Sequence, residues 1–302
     1  MIDSHLKQKI KNQFHKLSAT HKLLAEYLLE NYEEAAFLTA SRLGTIVGTS
    51  ESTVIRFAST IGYQGYPELQ EAMQDMVRHK LSTTTRLRET SDSAKDTQVL
   101  PELFLGDMEN LKKTFQEISV EAFEETVEEI SDASTIYILG LRSAHCLALF
   151  LGFYLEMIGK KVKVVPSGVS SIYEQLSVVR NTDLVIGISF PRYTRQTIDG
   201  VEYAKKLGAK VVVITDTVVS PLAQWADITL TSQSNIGSFI ESFAAPLSLI
   251  NALVTAVGRK QRDQTLDILE KQEVIWERCN IFYVSEKDSV KKKQQKEKLN
   301  ER

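Results

Sequence analysis

The chain has 302 residues, 43% of them hydrophobic and 25% charged, with 14 Gly and 6 Pro; this is ordinary globular composition, long enough for two domains. Its two cysteines, Cys146 and Cys279, are far apart and have no His or Cys at ligand spacing, which argues against a disulfide framework and against a metal site. The formal charge of −3 is uneven: residues 1–90 hold 11 Lys and Arg against 10 Asp and Glu, residues 286–302 hold 7 against 4, and the middle therefore carries −7, so a nucleic-acid partner belongs at the ends of the chain.

At the N-terminus Lys7, Lys9 and Lys11 are spread through a polar run. The apolar segment of a signal peptide is lacking, and a cytoplasmic location is expected. From Leu17 to about Leu81 the apolar spacing is helical. Leu23, Leu24, Tyr27 and Leu28 form a stripe behind Ser18 or Thr20 as cap, with Asn31 as a stop. A second helix starts after Thr39 and carries Leu43, Ile46 and Val47. A third starts after Ser50 and carries Val54, Phe57, Ala58 and Ile61, and only Gly48-Thr49-Ser50 separates the two. Two short helices joined by a tight glycine turn make a helix-turn-helix pattern. Gly48 suits the turn, and Gly44 leaves room for the helices to cross. Ser52, Thr53 and Arg56 are left on the outward face near the start of the second helix, where Arg reaches guanine and hydroxyls reach bases or phosphates. Plain packing of three helices would give a similar pattern, and Arg56 alone could be a solvated residue.

Residues 81–100, with Ser82-Thr83-Thr84-Thr85 and Thr90-Ser91-Asp92-Ser93, read as a linker. Helical patterns follow at about 102–118 and 121–132. Short Val/Ile-rich runs without polar alternation then appear at Thr135–Leu139, Val162–Val165, Leu184–Ser189, Val211–Thr215 and Ile228–Thr231, as expected for strands buried on both faces. Helical segments at about 143–158, 170–179, 194–207 and 220–226 separate them. The repeated βαβ unit predicts a doubly wound, five-stranded parallel sheet with helices on both faces. A long final helix is expected over about 239–271. Its charge-free stretch, Ser242–Gly258, contains Ser, Asn, Thr and Pro246, so it reads as a core helix and not a membrane span. Residues 286–302 form a Lys/Gln/Glu run expected to be a disordered charged tail.

In an open parallel sheet, ligands sit beyond the carboxyl ends of the strands. There the first strand runs into Gly140-Leu141-Arg142-Ser143 and the third into Ser189-Phe190-Pro191-Arg192-Tyr193-Thr194-Arg195. Gly140, Arg142, Ser143, Ser189, Arg192, Thr194 and Arg195 are the candidate ligand residues, since hydroxyls, guanidiniums and helix amides all favour an anion. The bland alternatives are that Ser143 and Thr194 only cap helices and that the arginines form surface ion pairs. No Gly-x-Gly-x-x-Gly or Walker sequence occurs, and no cofactor is expected. His145 and Glu241 are the residues near these loops that could act as a base. Each also has a simpler reading, in the first turn of a helix and at a helix start, and no catalytic residue is assigned.

The run from Thr39 to Leu69, TASRLGTIVGTSESTVIRFASTIGYQGYPEL, resembles the DNA-binding domain of the RpiR-like bacterial transcription factors, in which a helix-turn-helix domain is joined to a sugar isomerase (SIS) domain. Segment 184–231 is in turn similar to SIS domains, which bind phosphosugars. The resemblance implies a regulator of carbohydrate metabolism: residues 1–80 read double-stranded operator DNA through Thr39, Thr49, Ser50, Ser52, Thr53, Arg56 and Tyr63, and residues 101–285 sense a phosphosugar or similar anion. It also implies association of the SIS domains, and because one helix-turn-helix reads a short half-site, a homodimer or tetramer is expected. The chain departs from the SIS pattern in two places. Where the pattern has Ser-x-Ser-Gly-x-Thr, Ser189 and Thr194 match the ends while Pro191 and Arg192 replace the middle. Where it has Gly-x-Gly-x-Ser, Gly140 matches while Arg142 and Ala144 replace the second Gly and the Ser. Either the arginines and Ser143 form a rearranged anion site, or the usual phosphosugar is no longer the effector. A phosphosugar isomerase with a helical assembly domain is the competing function, and a ligand-free architectural repressor a third.

Overall fold

The computed structural model describes residues 2–80, 82–93, 99–166, 168, 170–235 and 238–283. The charged tail expected over 286–302 lies outside them.

Five helices come first: α1 (Ile2–Gln13), α2 (Ala19–Ala35), α3 (Ala40–Val47), α4 (Glu51–Thr60) and α5 (Tyr66–Lys80). Serine and threonine caps start three of them. Ser18, Thr39 and Ser50 side chains accept from the backbone N–H of His21, Arg42 and Thr53, filling donors that a helix start leaves open. α3 stops at Gly48, whose φ of 76° is left-handed, and the Thr49 N–H turns back to Gly44 O at 2.7 Å. Gly44 itself meets the turn: a Cβ there would lie 2.8 Å from Thr49 O, so only glycine lets α3 and α4 close so tightly. Leu24, Leu28, Leu43, Val54, Phe57, Ile61, Leu69 and Met73 fill the core of this group. α5 is tied to it by side chains that the periodicity does not single out. Tyr66 OH and Gln70 Nε2 both donate to Leu38 O, at 2.8 and 2.7 Å, and Gln74 Nε2 donates to Ala36 O at 3.0 Å.

Several expectations are corrected here. Asn31 kinks α2 (φ −125°, ψ 31°) without ending it. Leu23 and Ile46, assigned inward, are 54% and 41% exposed. The Lys-rich N-terminal run is helical, with Leu6 and Ile10 buried. The stretch read as a linker contains a helix, α6 (Thr83–Ser93).

α7 (Val99–Glu117) and α8 (Val120–Asp132) lead into the sheet: β1 (Ile136–Gly140), α9 (His145–Met157), β2 (Val162–Val164), α10 (Ile172–Leu176), β3 (Leu184–Ile188), α11 (Arg195–Lys206), β4 (Lys210–Thr215) and β5 (Ile228–Thr231). All pairings are parallel, in the order β2-β1-β3-β4-β5. The expected doubly wound sheet is therefore present, with β1 and β3 buried at every residue. The sheet changes direction between β1 and β3, the switch point where such folds bind ligands. One face packs on α8, α9 and α12 (Ala244–Lys260), the other on α10 and α11. In place of a single final helix there are two, because Gln261 (φ −105°, ψ 44°) breaks the chain before α13 (Arg262–Cys279). No helix among the described residues is long and apolar enough to cross a membrane.

Candidate functional site

The turn between α3 and α4 presents a hydroxyl cluster beside a guanidinium. Ser50 Oγ lies 2.9 Å from Ser52 Oγ and 2.8 Å from Thr53 Oγ1. Arg56 Nε donates to Ser52 O at 3.3 Å and its NH2 to Thr53 Oγ1 at 3.4 Å. Val54, Phe57 and Ala58 point the other way into the core, so the exposed side of α4 carries these polar groups together with Ile55. Thr49 stands in the turn, partly exposed. Thr39 is separate: it caps α3 and lines a cleft of about 1140 Å³ that faces α11 and the loop after β4. Tyr63 departs from the expectation that it faces DNA. The residue is 8% exposed and the Lys9 ammonium sits 3.9 Å from the ring centre, so it is a packing residue.

At the carboxyl ends of β1 and β3 the structure brings the two loops side by side. Gly140 admits no side chain, since a Cβ would lie 2.8 Å from Ala144 O. Arg142 and Arg192, which stand at the two glycine positions of the SIS pattern, have φ of 56° and 69°. The loops thus keep glycine-like backbone with arginine side chains on it, a strained state typical of functional sites. Ser189 is buried and its Oγ accepts from the Thr194 N–H at 3.4 Å. Neither hydroxyl is used as a helix cap: Thr194 precedes α11 without a side-chain cap bond, and Ser143 lies inside a 3-10 turn that precedes α9. His145 is held by its own loop, with Nδ1 2.9 Å from Gly140 O. Arg195 does not join the cluster. Its Nε donates to Asp199 Oδ1 at 2.8 Å, and its side chain is 86% exposed.

Three partners of the β3 loop, Thr83, Asp216 and Phe37, escape a reading by spacing. Arg192 NH1 donates to Thr83 Oγ1 of α6 at 2.9 Å. Tyr193 OH donates to Asp216 Oδ1 at 2.7 Å, and its ring meets Phe37 of the N-terminal helices edge-on at 5.3 Å. Burial pushes the Tyr193 phenol far up, and the Asp216 carboxylate adds to the effect. Burial also raises Asp216, against the hydrogen bonds from Tyr193 and Thr215. The tip of the β3 loop is therefore in contact with both α6 and the N-terminal helices. Among the described residues no cluster of three His, Cys, Asp or Glu is placed to hold a metal.

These features define a class: a helix-turn-helix domain followed by a flavodoxin-like α/β domain of the sugar isomerase type. The helix-turn-helix domain described for the rpiR family matches residues 4–80, and the SIS domain matches residues 129–256. The chain belongs to the RpiR family of helix-turn-helix transcription regulators. An uncharacterized HTH-type transcriptional regulator of Haemophilus influenzae is 24% identical over 280 residues, covering 88% of this chain and 96% of its own. Another, from Caldanaerobacter subterraneus, is 25% identical over 257 residues, covering 82% and 88%. The sugar isomerase domain of an RpiR transcription factor from Sphaerobacter thermophilus superposes with a TM-score of 0.57 at 30% identity, over 58% of this chain and 98% of that one. The NanR protein of Vibrio vulnificus, solved as a complex with ManNAc-6P, shares the fold over 91% of this chain and 98% of its own, with a TM-score of 0.62 at 21% identity.

Proposed function

We propose that this regulator binds operator DNA through the exposed side of α4 and senses a phosphorylated sugar, or a closely similar anion, at the β1 and β3 loops. Residues 1–80 form the DNA-reading unit and residues 101–285 the sensing unit. The observation that carries the reading is the pair of arginines held in glycine-like backbone beside the uncapped hydroxyls of Ser143 and Thr194. Guanidiniums in place of lost hydroxyls keep a site suited to a phosphate. The ManNAc-6P held by NanR points to the same chemical class. Isomerase chemistry is not favoured, because Glu241 lies in a salt bridge with Arg86 at 3.7 Å and His145 is bound to its own loop. We place the protein in the cytoplasm, with the DNA it reads.

The regulator acts as a dimer or a tetramer in this reading. Leu100, Phe104, Met108, Leu111 and Phe115 form one stripe along α7 and are 37% to 84% exposed, an apolar band that a monomer would leave wet. A second copy of the chain covers it, and two copies set two α4 helices on successive half-sites. Sedimentation at micromolar concentration is expected to give at least two chains per particle; a monomer would remove this part of the reading.

The test is a fluorescence-anisotropy titration of DNA fragments selected by the purified protein, at two salt concentrations, with and without a panel of sugar phosphates. One fragment class should bind tightly, and one sugar phosphate should shift it. Arg56→Ala should weaken that binding about tenfold or more with the fold intact by circular dichroism. Weak, salt-dependent binding indifferent to fragment and sugar would overturn the proposal.

A further inference from the structure

Granted the anion-sensing reading of the β1 and β3 loops, neighbouring residues at the tip of the β3 loop serve two different parts of the molecule. Arg192, with its left-handed backbone, is a candidate for the anion, and the next residue, Tyr193, reaches the N-terminal helices. Tyr193 is set firmly from the sheet side. Its OH donates at 2.7 Å to Asp216, the residue after β4, and its ring packs on the core that α11 covers. Asp216 thus ties the β3 loop to the loop after β4, from which Val219 packs on the helical core. On the other side, Phe37 lies in the elbow between α2 and α3, two residues before the Thr39 cap of α3. The next carbonyl, Leu38 O, accepts from both Tyr66 and Gln70 of α5, so a displacement of Phe37 is passed to the helices around it.

The two parts meet over a narrow area. Beside the Phe37–Tyr193 contact lies the cleft of about 1140 Å³, with Arg42 and Gln74 on one wall and Ile198 and Trp225 on the other. A limited interface of this kind lets one unit turn on the other. Arg192 also reaches across, since its NH1 donates to Thr83 Oγ1 of α6. A phosphate competes for that guanidinium with a charge-assisted bond stronger than a neutral hydroxyl offers. Taking it removes one tie between the loop tip and the helices, next to the tie that Tyr193 makes.

We propose that the Phe37–Tyr193 contact is the latch between the sensing and DNA-reading units. The structure shows the placement in which the latch is made, and an anion gripping Arg192 favours one in which it is broken and the α3–α4 pair is set differently. Phe37 and Tyr193 are positioning residues in this scheme. Effector and operator bias the same contact, and by linkage each changes the affinity of the other by the same factor.

The experiment titrates the selected DNA fragment by fluorescence anisotropy with full-length wild type, Phe37→Ala and Phe37→Tyr. Each is measured alone and with saturating inorganic phosphate, glucose 6-phosphate or N-acetylmannosamine 6-phosphate. In wild type one probe should change the fragment affinity by a factor of about 5–150. Phe37→Ala, with the latch broken throughout, should match probe-saturated wild type to within about threefold before any probe is added, and respond to the probe by less than about threefold. It should bind the probe itself at least as tightly as wild type by calorimetric titration. Phe37→Tyr, which keeps the ring, should behave as wild type. Hydrogen exchange of the amides of residues 36–39 in wild type should quicken when the probe binds, a readout that does not depend on whether a variant folds. A full response to the probe in Phe37→Ala, weaker probe binding by it, or unchanged exchange at 36–39 overturns the latch and leaves the sensor reading standing. Failure of all three probes to change the fragment affinity of wild type overturns the sensor reading and the latch with it.

Discussion

Replacing Phe57 by alanine is expected to melt the N-terminal helices while the sheet stays folded. Phe57 is fully buried, packs with Leu24, Leu43, Val54 and Leu69, and meets His21 edge-on at 5.5 Å. Truncating such a side chain costs about 3–5 kcal/mol, through lost burial and the cavity left behind. That is a large share of the roughly 5–15 kcal/mol that holds a domain together. The fully buried residues of the helical group and of the two sheet faces form separate clusters, and the contacts that cross between them are few, chiefly Phe37 against Tyr193 and Val219 against the helical core. Calorimetry should show two transitions, with the lower one displaced by about 10 °C or more in the variant and the upper one unmoved. A single transition that shifts as one would mean that the two cores melt together.

The second large effect is expected at Arg192, where glycine and alanine should differ. At φ 69° a residue with a Cβ carries about 1–2 kcal/mol of backbone strain that glycine does not. Arg192→Gly is therefore expected to be about 1 kcal/mol more stable than Arg192→Ala, a gap of roughly 2–4 °C in Tm for a domain of this size. Both variants should bind the effector about tenfold more weakly or worse, since each loses the guanidinium. Thermal melts with and without the sugar phosphate that binds wild type most tightly read both quantities. Equal melting of the two variants would show that the loop is unstrained, and wild-type affinity in either would remove Arg192 from the effector site. A residue kept in a conformation that disfavours it is best explained by what its side chain does.

Much of the fold was legible because the chain obeys local rules where it is regular. β1, β3 and β4 are apolar runs because both faces are covered, and Ser18, Thr39 and Ser50 announce helices because short hydroxyl side chains fill open N–H groups. The helix-turn-helix was legible from Gly44 and Gly48, two positions where a side chain would meet backbone or demand a left-handed angle. What escaped depends on tertiary partners. Among the described side chains of α1, Leu6 and Ile10 are the buried apolar ones, too few for a stripe to stand out. α6 has the composition of a linker, yet its Arg86 meets Ser238 and Glu241, far along the chain. The site was legible as two loops with arginines, but not the separation of Arg195, which Asp199 one helical turn on draws aside, nor the burial of Tyr63 beneath Lys9.

The closure of the helical core within residues 6–77 has a consequence in time. During synthesis that core is complete once the first eighty or so residues have left the ribosome, whereas the sheet must wait for β5 and for α12, which ends at Lys260. At about 5–20 residues per second the interval is roughly ten seconds or more. A chain cut or stalled in that interval would carry a finished helix-turn-helix head without the sheet that follows it in the full chain.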